Sequence, residues 1–276
     1  MTKKYIFDFL MNNNIEIIQQ NLDWYRIFST VVSEKIEGLL FKSLIEHNLM
    51  NIVPKPIKKN LYINYKYNQE KNVLYIREFK KVQNILFKNG IQVFPYKGLS
   101  LLNDIYSDYG VRYMEDIDIL SPEIDINLLK LLLEGINYQL YLINEKNISM
   151  YKYGEPISSC LFIKKNINLD LIPYIKLDIS MRLPKDKNSL CYDNEKLSQE
   201  YIFYLLCKYF FDDSCDKIQH PVPEDCTLMK LIDIISFIEK HPRQTNYILK
   251  NNSFMENQFV IYTKQCIDYF SKGDQL

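Results

Sequence analysis

The hydrophobic period changes at Asn89-Gly90, and that change limits what the chain can fold into. Upstream, apolar residues recur at close to helical spacing. From Tyr25 to Leu49 the repeating positions are Ile27, Val31, Ile36, Leu39, Leu40, Leu44 and Ile45. Pro54 and Pro56 interrupt this pattern, and a long amphipathic helix is expected from about Ile57 to Lys88. Its expected apolar face carries Tyr65, Val73, Ile76, Phe79, Val82 and Ile85. Gly90 suits a left-handed helix cap.

Downstream the pattern shortens to strand-like pieces. Ile91 to Tyr96 reads as a strand, Lys97-Gly98 as a turn and Leu99 to Tyr106 as a helix. After a polar loop, Ser107 to Glu115, the run Asp116-Ile117-Asp118-Ile119-Leu120 alternates as a half-buried strand should. Ser121 and Pro122 are suited to the cap and first turn of a helix that runs through Leu128, Leu129, Leu132 and Leu133 to Gly135. Strands are expected at Tyr138 to Ile143, Ser158 to Lys164 and Ile167 to Ile172, with Lys165-Asn166 turning between the last two. Helical spacing returns at Leu197 to Phe211, Thr227 to Lys240 and Asn257 to Phe270. The expected fold is α+β: a helical region over 1–90, a core with a small mixed sheet over 91–180, and a helical region over 181–276.

Composition narrows the function. Lys and Arg number 34, as do Asp and Glu. General nucleic-acid binding usually rests on a basic surplus that neutralises phosphates, so none is expected, although a short tRNA end stays open. Only 7 glycines occur, which argues against a glycine-rich dinucleotide fingerprint. The six cysteines (Cys160, Cys191, Cys207, Cys215, Cys226, Cys266) form no C-x-x-C pair and read as reduced thiols of a cytoplasmic protein. No stretch approaches the roughly 18 apolar residues of a membrane span.

Asp116 and Asp118 lie two apart on one strand, so their carboxylates share a face while Ile117 and Ile119 point the other way. Hard oxygen ligands held this close suit Mg²⁺, with Mn²⁺ as a substitute. Asp170, between Leu169 and Leu171, would add a third carboxylate if its strand lies alongside; Asp178 is its rival. Three carboxylates can hold two metal ions for in-line displacement at phosphorus. Upstream, a strand running into Lys97-Gly98 and then a helix is a place to hold a triphosphate. There Lys97 offers charge, Gly98 close backbone approach and Ser100 a hydroxyl. Arg112 either contacts a phosphate or braces its loop through Glu115 or Asp108. His47, His220 and His241 suggest no shared site. Lys208 and Lys230 lie on helices that could lean over a nucleotide, or else face solvent.

Together, Gly90-Ile91-Gln92-Val93, Lys97-Gly98-Leu99-Ser100-Leu101, Ile105-Tyr106, Arg112 and Asp116 to Leu120 resemble the signature of the uncharacterised nucleotidyltransferase family, part of the DNA polymerase β-like superfamily. The resemblance extends to Glu34 to Leu49, Asn168 to Leu171 and Leu228 to His241. It implies transfer of a nucleoside monophosphate from an NTP, ATP being the expected donor, with release of pyrophosphate. The acceptor would be a small molecule, a peptide or protein, or a tRNA end. One Mg²⁺ would sit on Asp116, Asp118 and Asp170 and a second on Asp116 and Asp118, with Lys97, Gly98 and Ser100 as the phosphate-binding turn. Two features depart from the pattern. The turn is Lys-Gly rather than Gly-Ser, and Leu171-Ile172-Pro173 stands where relatives carry Leu-His-Trp. A catalytically silent nucleotide-binding or protein-interaction relative is the alternative reading.

Overall fold

The computed structural model describes residues 2–19, 22–121, 125–144, 159–166, 172–181, 192–193, 196–215, 227–250 and 258–271. The chain forms two compact units, each assembled from separated segments: Met1–Gln69, Ile105–Tyr113 and Gln199–Leu276 in one, Glu70–Asp104 and Met114–Ser198 in the other. The expected regions, by contrast, were contiguous in sequence.

The first unit is helical. It contains α1 (Thr2–Asn12), α2 (Ile15–Gln19), α3 (Trp24–Ser33), α4 (Glu37–Glu46), a short 3-10 turn at Met50–Ile52 and the start of α5 (Lys55–Lys88). The apolar run from Tyr25 to Leu49 is thus two helices, broken where Lys35 takes a positive φ of 59°. Gly38 on α4 is obligatory, because a Cβ there would meet the Gly110 carbonyl oxygen at 2.1 Å. Asp108 organises the same loop, accepting from the Tyr65 hydroxyl and from the Gly110 N–H at 2.9 Å.

The later helices of this unit, by our numbering, are α8 (Gln199–Cys215), α9 (Leu228–Lys240), α10 (Pro242–Lys250) and α11 (Gln258–Ser271). Three were expected; α10 was not. Thr227, at the N-cap of α9, makes no side-chain capping bond. Glu34 serves instead: its buried carboxylate accepts the Leu228 N–H at 2.7 Å and the Lys3 ammonium at 2.7 Å. A carboxylate at a helix N-terminus satisfies an orphan donor and complements the helix dipole.

The second unit holds a five-stranded mixed sheet, ordered β1-β2-β5-β4-β3. Its strands are β1 (Phe94–Pro95), β2 (Ile117–Leu120), β3 (Gln139–Asn144), β4 (Ser159–Lys165) and β5 (Tyr174–Ser180). Among the described strands only β2 and β5 pair in parallel. The α+β class is as expected. Two short helices join the strands, α6 (Gly98–Asp104) and α7 (Ile126–Glu134), and a hairpin of β6 (Tyr192–Asp193) with β7 (Lys196–Leu197) follows. Gly90 ends α5 with φ 75°, and Ile91 N–H returns to Leu86 O.

Three expectations change on contact with the structure. Ser121 does not cap a helix: its N–H continues the sheet to Ser180 O, and Asp125 caps α7 by accepting from Asn127 N–H. Pro122 lies outside the described residues, as does the expected strand Ile167 to Ile172 apart from Ile172. The strand that pairs with β4 begins at Tyr174, past the Asn166 N–H bond to Pro173 O. Within α5 the buried line is Asn68, Asn72, Tyr75, Glu78, Phe79, Val82 and Leu86 rather than the most apolar line. Val73 is 40% exposed because polar residues occupy part of the buried stripe.

Glu78 explains that stripe. It is 3% exposed, and its carboxylate accepts Lys164 at 2.7 Å, Lys81 at 2.6 Å and the Tyr138 hydroxyl at 3.4 Å, fixing α5 to β4. Burial pushes its pKa up, but the two ammonium groups outweigh burial and hold it below the ordinary value. A depressed carboxyl stabilises the fold above its unfolded pKa and loses that contribution as pH falls through the folded value. Glu78→Gln should therefore cost about 1–3 kcal/mol at neutral pH. In urea titrations at falling pH, the gap between wild type and variant should close below about pH 4.5.

Candidate active site

The core face of the sheet sets the position of its opposite face. Ile117, Leu177 and Phe162 form one cross-strand row, and Ile119, Ile179 and Cys160 form the next; all are buried. Alternation then places Asp118, Asp178 and Leu161 in a row on the other face. Asp118 and Asp178 are direct partners on adjacent parallel strands. Asp116, two residues before Asp118, precedes the strand, and the Tyr75 hydroxyl anchors its neighbour by donating to Glu115 O at 2.8 Å.

These carboxylates feel one another. The Asp116 carboxyl is pushed up to about 7, first by burial and then by the charge of Asp118, with Asp178 and Glu115 adding and Lys97 opposing. Asp118 is 6% exposed and takes the Lys97 ammonium on Oδ1 at 2.6 Å. Lys97 itself, not Gly98, holds the left-handed conformation of the turn, with φ 51°. Its ammonium lies 5.0 Å from the Tyr96 ring centroid. The Ser100 hydroxyl donates to Lys97 O at 2.9 Å and so fastens the turn from within.

The structure brings together Lys97, Gly98, Ser100, Asp116 and Asp118, with Asp178 beside them. Asp170 lies outside the described residues. Among the described residues no three His, Cys, Asp or Glu side chains are grouped as a ready-made metal site. The donor set still fits a hard divalent ion, since its members are carboxylates that repel one another and already recruit an ammonium. Asp178 was legible as a rival, because Ile175-Lys176-Leu177-Asp178-Ile179 alternates as Asp116 to Leu120 does. The Lys97–Asp118 pair had no signal in local pattern, since 21 residues separate the partners.

Arg112 takes the bracing role, with a partner the sequence reading missed. It is buried, and its guanidinium holds Asp233 of α9 through Nε at 3.1 Å and one terminal nitrogen at 2.8 Å, while the other donates to Tyr113 O. The Tyr106 hydroxyl donates to the same carboxylate at 2.7 Å, and burial and the Asp233 charge raise its pKa well above the ordinary value. Of the two expected roles this is the bracing one, with Asp233, 2% exposed, in place of Glu115 or Asp108 as partner. Lys208 is buried rather than solvated, and Lys230 pairs with Asp213. His47 meets Asn13 and His241 packs on Phe237, while His220 lies outside the described residues. Cys160, Cys207 and Cys266 are free thiols, and burial pushes Cys207 up to about 12.

Removing one member of the Arg112–Asp233 pair should strand a buried charge. Asp233→Ala is expected to cost about 3–5 kcal/mol in urea unfolding, and Arg112→Met with Asp233→Leu together far less. A double variant as stable as wild type that no longer binds NTP would return Arg112 to the phosphate grip.

No curated protein sequence matches the chain. Among solved structures it is similar to the solution structure of the antibiotic-resistance factor ANT(2'')-Ia, at 11% identity and a TM-score of 0.41, over 67% of this chain and 96% of that one. No helix among the described residues is long and apolar enough to cross a membrane. A family model described as uncharacterised nucleotidyltransferase matches residues 20–253, and the chain belongs to that family.

Proposed function

We propose that this chain is a metal-dependent nucleotidyltransferase that moves a nucleoside monophosphate from an NTP, with ATP as the expected donor, onto an acceptor and releases pyrophosphate. The observation that carries this reading is the parallel register of β2 and β5, which sets Asp178 beside Asp118 in a member of a nucleotidyltransferase family. Asp178 takes the third-carboxylate role in this reading, ahead of Asp170. Mg²⁺ on Asp116, Asp118 and Asp178 would neutralise the triphosphate and the departing pyrophosphate and lower the pKa of an acceptor hydroxyl.

The chain's own groups do the rest. Lys97 carries positive charge to the phosphates, Gly98 permits close backbone approach at the start of α6, and Ser100 keeps the turn rigid. Asp178 receives the acceptor's proton. Positioning and charge neutralisation are the main sources of rate in phosphoryl chemistry. Acceptors in scope are a small molecule, a peptide or protein, or a tRNA end.

Incubation with each labelled NTP and Mg²⁺ in an extract of the source organism should label the acceptor and release pyrophosphate. Asp118→Asn should fall below about a hundredth of wild-type activity while staying folded, because even outer-shell partners of a metal are worth 10–100-fold. Asp178→Asn should lose the chemical step and largely retain NTP binding, whereas Asp170→Asn should resemble wild type. The opposite ranking of Asp178 and Asp170 would move the third carboxylate. NTP binding without pyrophosphate release from wild type would favour a silent relative.

A further inference from the structure

Lys97 is joined to the acidic face by more than proximity. Its ammonium is 2.6 Å from Asp118 Oδ1, its side chain is 32% exposed, and its carbonyl is held by the Ser100 hydroxyl and the Leu101 N–H. The backbone is therefore pinned, while the side chain keeps partial access to solvent. The neighbouring Lys176 is engaged elsewhere, donating to Glu115 at 3.1 Å. An ammonium and a divalent cation cannot both sit on Asp118 Oδ1 without strong repulsion.

We infer that Lys97 is the resident counter-ion of the acidic face and makes divalent-ion binding conditional on the nucleotide. This rests on the metal-site reading above. In the free protein the ammonium balances Asp118 and suppresses ion binding. An incoming triphosphate offers Lys97 an anionic partner of its own, and the released carboxylate then becomes a ligand. The ion is thus taken up with the nucleotide rather than before it.

Mn²⁺ titration followed by electron paramagnetic resonance, without nucleotide, tests this. Lys97→Met and Lys97→Gln should bind Mn²⁺ at least about tenfold more tightly than wild type, the size of one lost charge-assisted competitor. Lys97→Arg keeps the charge and should stay weak. Adding Asp118→Asn to Lys97→Met should abolish the gain. In wild type, acylation of Lys97 followed by mass spectrometry should speed up once Mn²⁺ saturates the protein. That measurement needs no variant to fold. Equal Mn²⁺ affinity in folded Lys97→Met and wild type, or acylation unchanged at saturation, overturns the inference while an effect of Asp118→Asn on Mn²⁺ binding keeps the metal site. If Asp118→Asn has no effect on Mn²⁺ binding in any background, the metal-site reading itself fails.

Discussion

Two like charges on adjacent strands are the constraint around which the second unit is organised. Asp118 and Asp178 cannot separate by sliding β2 past β5, because a one-residue slip would turn Ile117, Ile119, Leu177 and Ile179 out of the core. Hydrophobic burial on one face therefore enforces electrostatic repulsion on the other. Burial, and then the charge of Asp118, pushes the Asp116 carboxyl up to about 7. A lysine close by relieves part of it. The site is a place of stored charge before any ligand arrives.

The first unit handles buried charge in the opposite way. Around Asp233 every charge has a matched partner: Arg112 supplies a fork and Tyr106 a hydroxyl. Glu34 is likewise matched, by Lys3 and by the first N–H of α9. Such pairs add little net stability over apolar packing, but losing one member is costly. Residues of one family-like run thus divide by physical role: Tyr106 and Arg112 hold the loop in place, while Asp116 and Asp118 crowd around a single ammonium, Lys97. Incomplete neutralisation, rather than membership in the motif, separates groups suited to chemistry from groups suited to structure.

Local pattern made much of this legible. The α+β class, α5, β2, α9 and α11 followed from period and caps within a residue or two, whereas α8 runs four residues past its expected end at Phe211. The pair Asp116 and Asp118 followed from alternation. What escaped depended on partners distant in sequence. Arg112 meets Asp233 across 121 positions, and nothing near Arg112 advertises it. The face of α5 was misjudged because Asn68, Asn72 and Glu78 are buried with partners, whereas hydrophobicity alone points to Val73 and Ile76. Ser121 has the chemistry of a cap, but its N–H continues the sheet and its hydroxyl donates to Gln92 O instead of accepting from a helix. Strand register, which a short alternating segment cannot specify without its partner, sets Asp178 beside Asp118, while Asp170 lies outside the described residues.

Register also makes sense of the turn's departure from Gly-Ser. A left-handed non-glycine residue costs on the order of 1–2 kcal/mol, and Lys97 occupies that conformation although Gly98 is its neighbour. A glycine there would give a relaxed backbone but no charge. With lysine, the turn carries its cation to the carboxylate that faces Asp178 across β2 and β5. The local cost is small beside that of leaving Asp118 buried without a counter-charge. The turn and the acidic strand pair are thus one electrostatic unit, in which Lys-Gly in place of Gly-Ser supplies the cation that neutralises the face beside it.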